Sequence, residues 1–214
     1  ASRFRVEEGG TPLTELTLRL PGLHNVRNAL GALAAARAAG AAVEAAQRAL
    51  ATFEGVDRRF QELGQAGGVV FVDDYAHHPT EITATLAAAR AAYPGRRIVA
   101  VFQPHLYTRT RDFADAFGRA LAGADVAWVT DIYPAREAPI PGVTGELVAR
   151  AVEAAGGSEV HYHADRGSLA EALAAALEPG DVCITLGAGN IDETGRETLA
   201  LLGGSAAAGA REQR

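Results

Sequence analysis

The chain has 214 residues, 48% apolar and 21% charged, with 26 acidic against 20 basic side chains and a formal charge of −6. This predicts a folded, soluble chain of one large domain, or one domain plus part of another, and excludes a disordered one. The acidic balance excludes a general phosphate-backbone binder but leaves nucleotides open, because local arginines and backbone N–H groups hold them.

In chain order, "RFRVEEGG" and "ELTLRLPG" alternate around Gly9, Gly10 and Pro12, which predicts a β-hairpin. "HNVRNALGALAAARAAG" reads as a helix closed by Gly40, with Asn25 as its cap, and "VEAAQRALATF" as a second helix ending before Gly55. "EGVDRRFQELGQ" reads as a junction between two organisations. From Phe60 a strand–helix rhythm takes over. "VVFVDD" precedes a helix from Pro79 to about Ala92, and "RIVAVFQP" precedes one across "TRDFADAFGRALAGA". "VAWVTDIYP" precedes a helix from about Thr144 to Ala155, "EVHYHA" precedes "SLAEALAAALEPG", and "DVCITLGAG" closes the series. Apolar strands alternating with amphipathic helices predict an α/β fold with a Rossmann-like, doubly wound, mostly parallel sheet. The tail "GGSAAAGAREQR" is expected to fray. Cys183, the one cysteine, reads as a small buried residue; it excludes a disulfide framework and suits a reducing, cytoplasmic setting. No apolar run is long enough to span a membrane.

In doubly wound folds ligands bind beyond the carboxyl ends of the strands, and the polar clusters of this chain fall there. "DDYAHHPTEI" gathers Asp73, Asp74, Tyr75, His77 and His78 before a helix that Pro79 opens. Carboxylates grip a ribose diol or a metal ion, histidines donate to anions or ligate metals, and one Asp alone serves as a turn residue. Spacing does not choose among these. "QPHLYTRTR" supplies His105, Tyr107, Arg109 and Arg111. Two guanidiniums at a helix N-terminus oppose its dipole unless they serve a bound anion, though surface ion pairs are the commoner use. Arg58 and Arg59 sit at the junction, within reach of phosphates across a cleft. "GAGNID" is a glycine turn suited to close approach by a ligand. His161 and His163 share a strand face, which reads first as exposed surface and second as a metal pair. Asn28, one turn into the first helix, offers an amide donor and acceptor to an adenine edge.

Taken in order, "PGLHNVRNALGALAAA", "GVDRRFQELG", "VDDYAHHPTEI", "VFQPHLYTRTRD", "DIYPAREAPIPGVTGE" and "TLGAGNID" resemble the muramyl ligases of peptidoglycan synthesis, most of all the member that adds L-alanine. The resemblance implies an ATP-dependent amide ligase that activates the carboxylate of UDP-N-acetylmuramate as an acyl phosphate for attack by L-alanine. It implies that residues 1–54 end a central P-loop ATPase domain, residues 55–204 form a Rossmann-like C-terminal domain, and 205–214 are a flexible tail. The chain has no methionine and no lysine, so the loop G-x-x-x-x-G-K-[ST] cannot be written in it. A piece of a longer protein, inactive alone, is therefore expected, with ATP and Mg²⁺ as cofactors and most Mg²⁺ ligands elsewhere. Its partners would be the substrates and the remaining domains of the same protein, not nucleic acid or membrane. By resemblance, Asn28 and Asn25 meet the adenine, Arg59 the phosphates and Asp74 the ribose. Tyr75, His77, His105 and Arg109 line the substrate side. Leu106 stands where many muramyl ligases have arginine, so Arg109 or another arginine must suffice there. Asp74→Ala is expected to weaken nucleotide binding without unfolding the domain. Two other readings fit the residues: a metal-dependent phosphoesterase using Asp73, Asp74, His77 and His78 as ligands, and a non-catalytic nucleotide-binding module. Within the ligases, a tripeptide-adding recycling enzyme is a close relative of the first reading.

Overall fold

The computed structural model describes residues 2–157 and 159–212, with side chains described as far as residue 204. The expected tail, 205–214, therefore lies outside the residues described in full.

The first unit is the expected hairpin and helix pair. Strands β1 (Ser2–Glu8) and β2 (Thr11–Leu18) pair antiparallel, with an irregularity between Val6 and Glu7. Helices α1 (Leu23–Ala38) and α2 (Val43–Thr52) follow. Val6, Leu16 and Leu33 form a small core there, backed by Val43 and Leu50. Asn25 is not the cap of α1. Gly22 holds that position, and the Asn25 amide instead donates to the Pro21 carbonyl at 2.7 Å. The helix begins three residues earlier than an Asn25 cap would place it, because the backbone turns at Gly22.

The second unit is a six-stranded sheet in the order β3-β4-β8-β5-β6-β7. Its strands are β3 (Gln61–Ala66), β4 (Val69–Asp74), β5 (Ile98–Phe102), β6 (Val126–Val129), β7 (Glu159–Tyr162) and β8 (Val182–Leu186). Helices α3 (Pro79–Ala92), α4 (Tyr107–Leu121), α5 (Gly145–Ala155), α6 (Arg166–Ala176) and α7 (Ile191–Glu212) connect and cover them. All pairings are parallel except β3 with β4. The junction segment therefore contains a strand that its polar sequence "QELGQA" concealed; β3 is an edge strand, so only some of its side chains need be apolar, and Gly67 and Gly68 turn it into β4.

Period-two alternation builds the two faces. Val70, Val72, Ile98, Ala100 and Ile184 pack under α3, α4 and α5 through Ile82, Phe117 and Val148. Their neighbours Val69, Phe71, Val99, Val101 and Cys183 pack under α6 and α7 through Leu169, Leu173 and Ile191. Strands β4, β5 and β8 are buried along their whole length, as central parallel strands covered on both faces must be. Cys183 lies in this core, and burial pushes its thiol up to about 12, so it is inert. Among the described residues no helix is long and apolar enough to cross a membrane.

Candidate functional site: an inter-unit cavity and a row of rings

The end of β4 is where the two faces of the sheet acquire different chemistry. Asp73 and Asp74 are adjacent in a strand, so they point to opposite sides. Asp73, fully buried, turns toward β8 and α7; it accepts from Thr185 Oγ1 at 2.6 Å and from Arg58 Nε at 3.0 Å. Asp74, 5% exposed, turns toward α3 and accepts from the backbone N–H groups of Phe60 at 2.9 Å and Ala76 at 2.8 Å. Burial raises both carboxyls above the ordinary aspartate value, against the lowering pull of these hydrogen bonds.

Beyond β4 the chain enters α3 through a reciprocal cap. His78 is the N-cap and its ring accepts from Thr80 N, while Glu81 accepts from His77 N and His78 N. The cap function that an Asp might have served thus belongs to His78. Neither aspartate caps the helix, although Asp74 does act as a turn residue through Ala76.

A cavity of about 680 Å³ opens between the two units, within the usual range for a small-molecule site. Asn25 and Asn28 reach it from α1, Arg59 from the junction and Asp74 from β4; Thr80, Glu81 and Thr85 line it from α3. Leu18, Leu20, Leu50, Phe53 and Val56 supply apolar walls. All four residues expected on the nucleotide side converge here, on a surface that joins an apolar slot to two amides, one guanidinium and two carboxylates. Sequence reasoning missed the apolar half. Phe53 and Val56 are 44% and 63% exposed, so their types carry no core signal.

A second group runs along the carboxyl edge of the sheet as a row of rings. Tyr75 meets His77 edge-on at 5.3 Å, His77 meets His105 at 6.1 Å, and His105 stacks on Tyr133 at 5.6 Å. Arg58 and Arg59 lie against the Tyr75 ring at 5.1 and 5.4 Å. The four residues expected on the substrate side, Tyr75, His77, His105 and Arg109, therefore lie along the ends of β4 and β5 and the start of α4. Tyr133, after β6, is the member that the sequence left unnamed, although it lies in the "DIYPAREAPIPGVTGE" segment that carries the resemblance.

Within this row His105 Nδ1 and Arg109 Nη1 are buried with no hydrogen-bond partner. Burial, then Arg109, then His77 hold the His105 imidazole below its usual value, so it is neutral at neutral pH. The two arginines of "TRTR" divide. Arg111 makes an exposed ion pair with Asp112 at 2.7 Å, the ordinary surface use, whereas Arg109 keeps an unpaired donor facing inward. A carboxylate or phosphate oxygen, like water, would satisfy such a donor. The "GAGNID" turn borders the same edge. A Cβ on Gly189 would lie 2.4 Å from Gln103 Oε1 and 2.7 Å from Tyr133 Cγ, so only glycine allows this approach.

Asp73, Asp74, His77 and His78 do not converge on one point: among the described residues no group of three or more His, Cys, Asp or Glu side chains is placed to hold an ion. The strand sends the two carboxylates apart, and His78 is spent on the cap. His161 stacks on Trp128 at 4.3 Å and meets Glu159, while His163 meets Ser168 at 2.9 Å, so these two histidines have separate partners.

Residues 58–189, more than half of the chain, match the family described as Mur ligase, glutamate ligase domain. The chain belongs to the Mur ligase family. Among relatives of this Mur ligase chain, the UDP-N-acetylmuramate–L-alanine ligase of Salinibacter ruber is 47% identical over 190 residues, covering 89% of this chain and 40% of that protein. The enzyme of the same name from Cutibacterium acnes is 51% identical over 192 residues, 89% of this chain and 41% of that protein. The crystal structure of UDP-N-acetylmuramate-alanine ligase from Thermotoga maritima superposes with a TM-score of 0.79 at 29% identity, over 93% of this chain and 42% of that one. The Mur ligase chain thus spans about two fifths of the length of these relatives, and its α/β sheet has the fold of their C-terminal part.

Proposed function

We propose that the protein containing this chain is an ATP-dependent ligase that joins L-alanine to UDP-N-acetylmuramate through an acyl phosphate, in the cytoplasm. The observation that carries this reading is the convergence of Asn25, Asn28, Arg59 and Asp74 on one inter-unit cavity. The amides of Asn25 and Asn28 suit the adenine edge, the apolar walls suit its faces, Asp74 suits the ribose hydroxyls and Arg59 the phosphates. Asp74 is anchored by Phe60 N, Ala76 N and the Thr85 side chain, and as an acceptor-only group at the cavity wall it suits a hydroxyl donor. On the substrate side, the unpaired Arg109 donor and neutral His105 suit the carboxylate of the incoming amino acid, with Tyr75 and His77 lining the way. Leu106 adds no charge there, so Arg109 serves alone. The two relatives quoted above, both named for L-alanine, favour that amino acid.

Phosphoryl transfer to a carboxylate asks the protein mainly for positioning and charge neutralisation, and Mg²⁺ would supply part of the latter. Among the described residues no three His, Cys, Asp or Glu side chains gather to hold that ion, which fits ligands drawn mostly from the rest of the protein. The 1–54 unit and the 55–204 unit read as the end of the ATP-binding domain and the C-terminal ligase domain, meeting at the cavity. The test is ADP release by the full-length protein. Release requiring both UDP-N-acetylmuramate and L-alanine is the expected result; release with a tripeptide in place of L-alanine would make it a recycling ligase, and hydrolysis without either acceptor would contradict the assignment.

A further inference from the structure

The junction ahead of β3 holds an unusual backbone. Arg58 and Phe60 both adopt left-handed conformations, φ 60° and 48°, with Arg59 between them. Neither is glycine or asparagine, so each conformation is costly and persists only where its surroundings fix it.

Most of the fixing comes from one side, although Arg59 N also donates to the Val56 carbonyl at 3.1 Å. The Arg58 guanidinium donates to Asp73 at 3.0 Å, to the Gly189 carbonyl at 2.9 Å and to the Gly187 carbonyl at 2.7 Å, and it stands 3.4 Å from Asp192. Its own carbonyl accepts from Tyr75 N at 2.7 Å. Phe60 N donates to Asp74, and the Phe60 ring, 8% exposed, stacks on Tyr93 at 6.4 Å. Apart from Val56, every one of these partners belongs to the α/β unit. On the other side of the junction, Phe53 and Val56 are exposed and Gly55 sits at φ 105°. The Arg19–Glu54 ion pair there is open to solvent on both partners, at 58% and 82%, and constrains little.

We propose that Arg58 is the positioning residue for Arg59. Its three-way clamp on β4 and the glycine turn holds the left-handed pair that aims Arg59 along Tyr75 into the cavity. Residues 58–60 are thereby fixed to the α/β unit, and Arg59 reaches the cavity from that side. Arg58 itself is not among the residues lining the cavity. This inference rests on the reading of Arg59 as the residue facing the ATP phosphates.

The test is a double-mutant cycle in the full-length ligase. Arg58→Lys is the variant of choice, because it keeps a positive charge against buried Asp73 while losing the fork that holds both glycine carbonyls. The expected result is a kcat lowered by roughly ten- to a hundredfold, as for a small misplacement of a catalytic group, with the KM for ATP unchanged within about twofold. Arg59→Met should be slower still, and the double variant Arg58→Lys/Arg59→Met no slower than Arg59→Met alone, because the first residue acts through the second. A merely structural role would multiply the two defects. A slow Arg59→Met combined with multiplying defects, or an Arg58→Lys enzyme of normal rate, overturns the proposal and leaves the nucleotide reading intact. An Arg59→Met enzyme of normal rate overturns the Arg59 assignment and this proposal with it.

Discussion

Replacing Asp74 by alanine removes the acceptor for two buried backbone donors at once, Phe60 N at 2.9 Å and Ala76 N at 2.8 Å. Each orphaned donor costs roughly 1–3 kcal/mol. Part of that is offset, because the substitution also abolishes the cost of burying a carboxyl whose pKa is raised above its ordinary value. The net loss should be about 2–4 kcal/mol. In urea unfolding of the 214-residue chain, with a slope of roughly 2 kcal/mol per molar, the midpoint should fall by about 1–2 M at an unchanged slope. Asp74→Asn keeps one acceptor oxygen and no charge, and should lose about half as much. An Asp74→Ala chain with the parental midpoint would refute the claim that this carboxylate holds the junction to β4. A loss of that size weakens the domain without by itself unfolding it, and the effect on nucleotide affinity is read most cleanly from the Asn variant.

Gly189→Ala places a methyl against Gln103 and Tyr133. It should destabilise by roughly 1–3 kcal/mol, as overpacking does, and move Tyr133 off the His105 ring. A thermal midpoint equal to the parent would show that the turn yields freely. Phe117→Ala empties a fully buried position packed 5.1 Å from Phe102 and should cost about 3–5 kcal/mol in the same urea experiment; a loss under 1 kcal/mol would mean that this part of the core is not close-packed. Asp125, bonded to Arg90 at 2.6 Å and to Ile98 N at 2.7 Å, has its pKa lowered, first by the Arg90 hydrogen bond. A depressed folded-state pKa means that the unfolded chain binds the proton more readily. The stabilisation is complete above the ordinary aspartate range and is lost as pH falls through the folded value. Asp125→Asn should therefore lower stability at pH 7 and converge with the parent in acid; a constant difference across that range would contradict the assignment.

The strand–helix rhythm was readable because the central strands are buried on both faces and so appear as uninterrupted apolar runs such as "VVFVDD" and "VCITL". Strand β3 was not, because an edge strand shares the composition of a loop, and only the Gly67–Gly68 turn advertised it. At the site, "DDYAHH" marked a polar cluster after β4, but composition could not say that alternation would send Asp73 into an Arg58–Thr185 clasp and Asp74 into the cavity. Nor could it show that His78 would become a cap, since histidine carries no strong capping preference. The role of Arg58 lay in contacts more than a hundred residues away in sequence, with Gly187 and Gly189, and such pairings have no local signal.

The central claim is that the inter-unit cavity is the adenine side of an ATP site, and Asn28→Ala in the full-length ligase tests it most directly. Asn28 lines the cavity from the middle of α1, so its removal leaves no helix end uncapped. Loss of one or two hydrogen bonds to the base, about 1–3 kcal/mol, should raise the KM for ATP by roughly five- to a hundredfold while the KM for L-alanine stays as it was. An unchanged KM for ATP in a folded, otherwise active variant would place the adenine elsewhere.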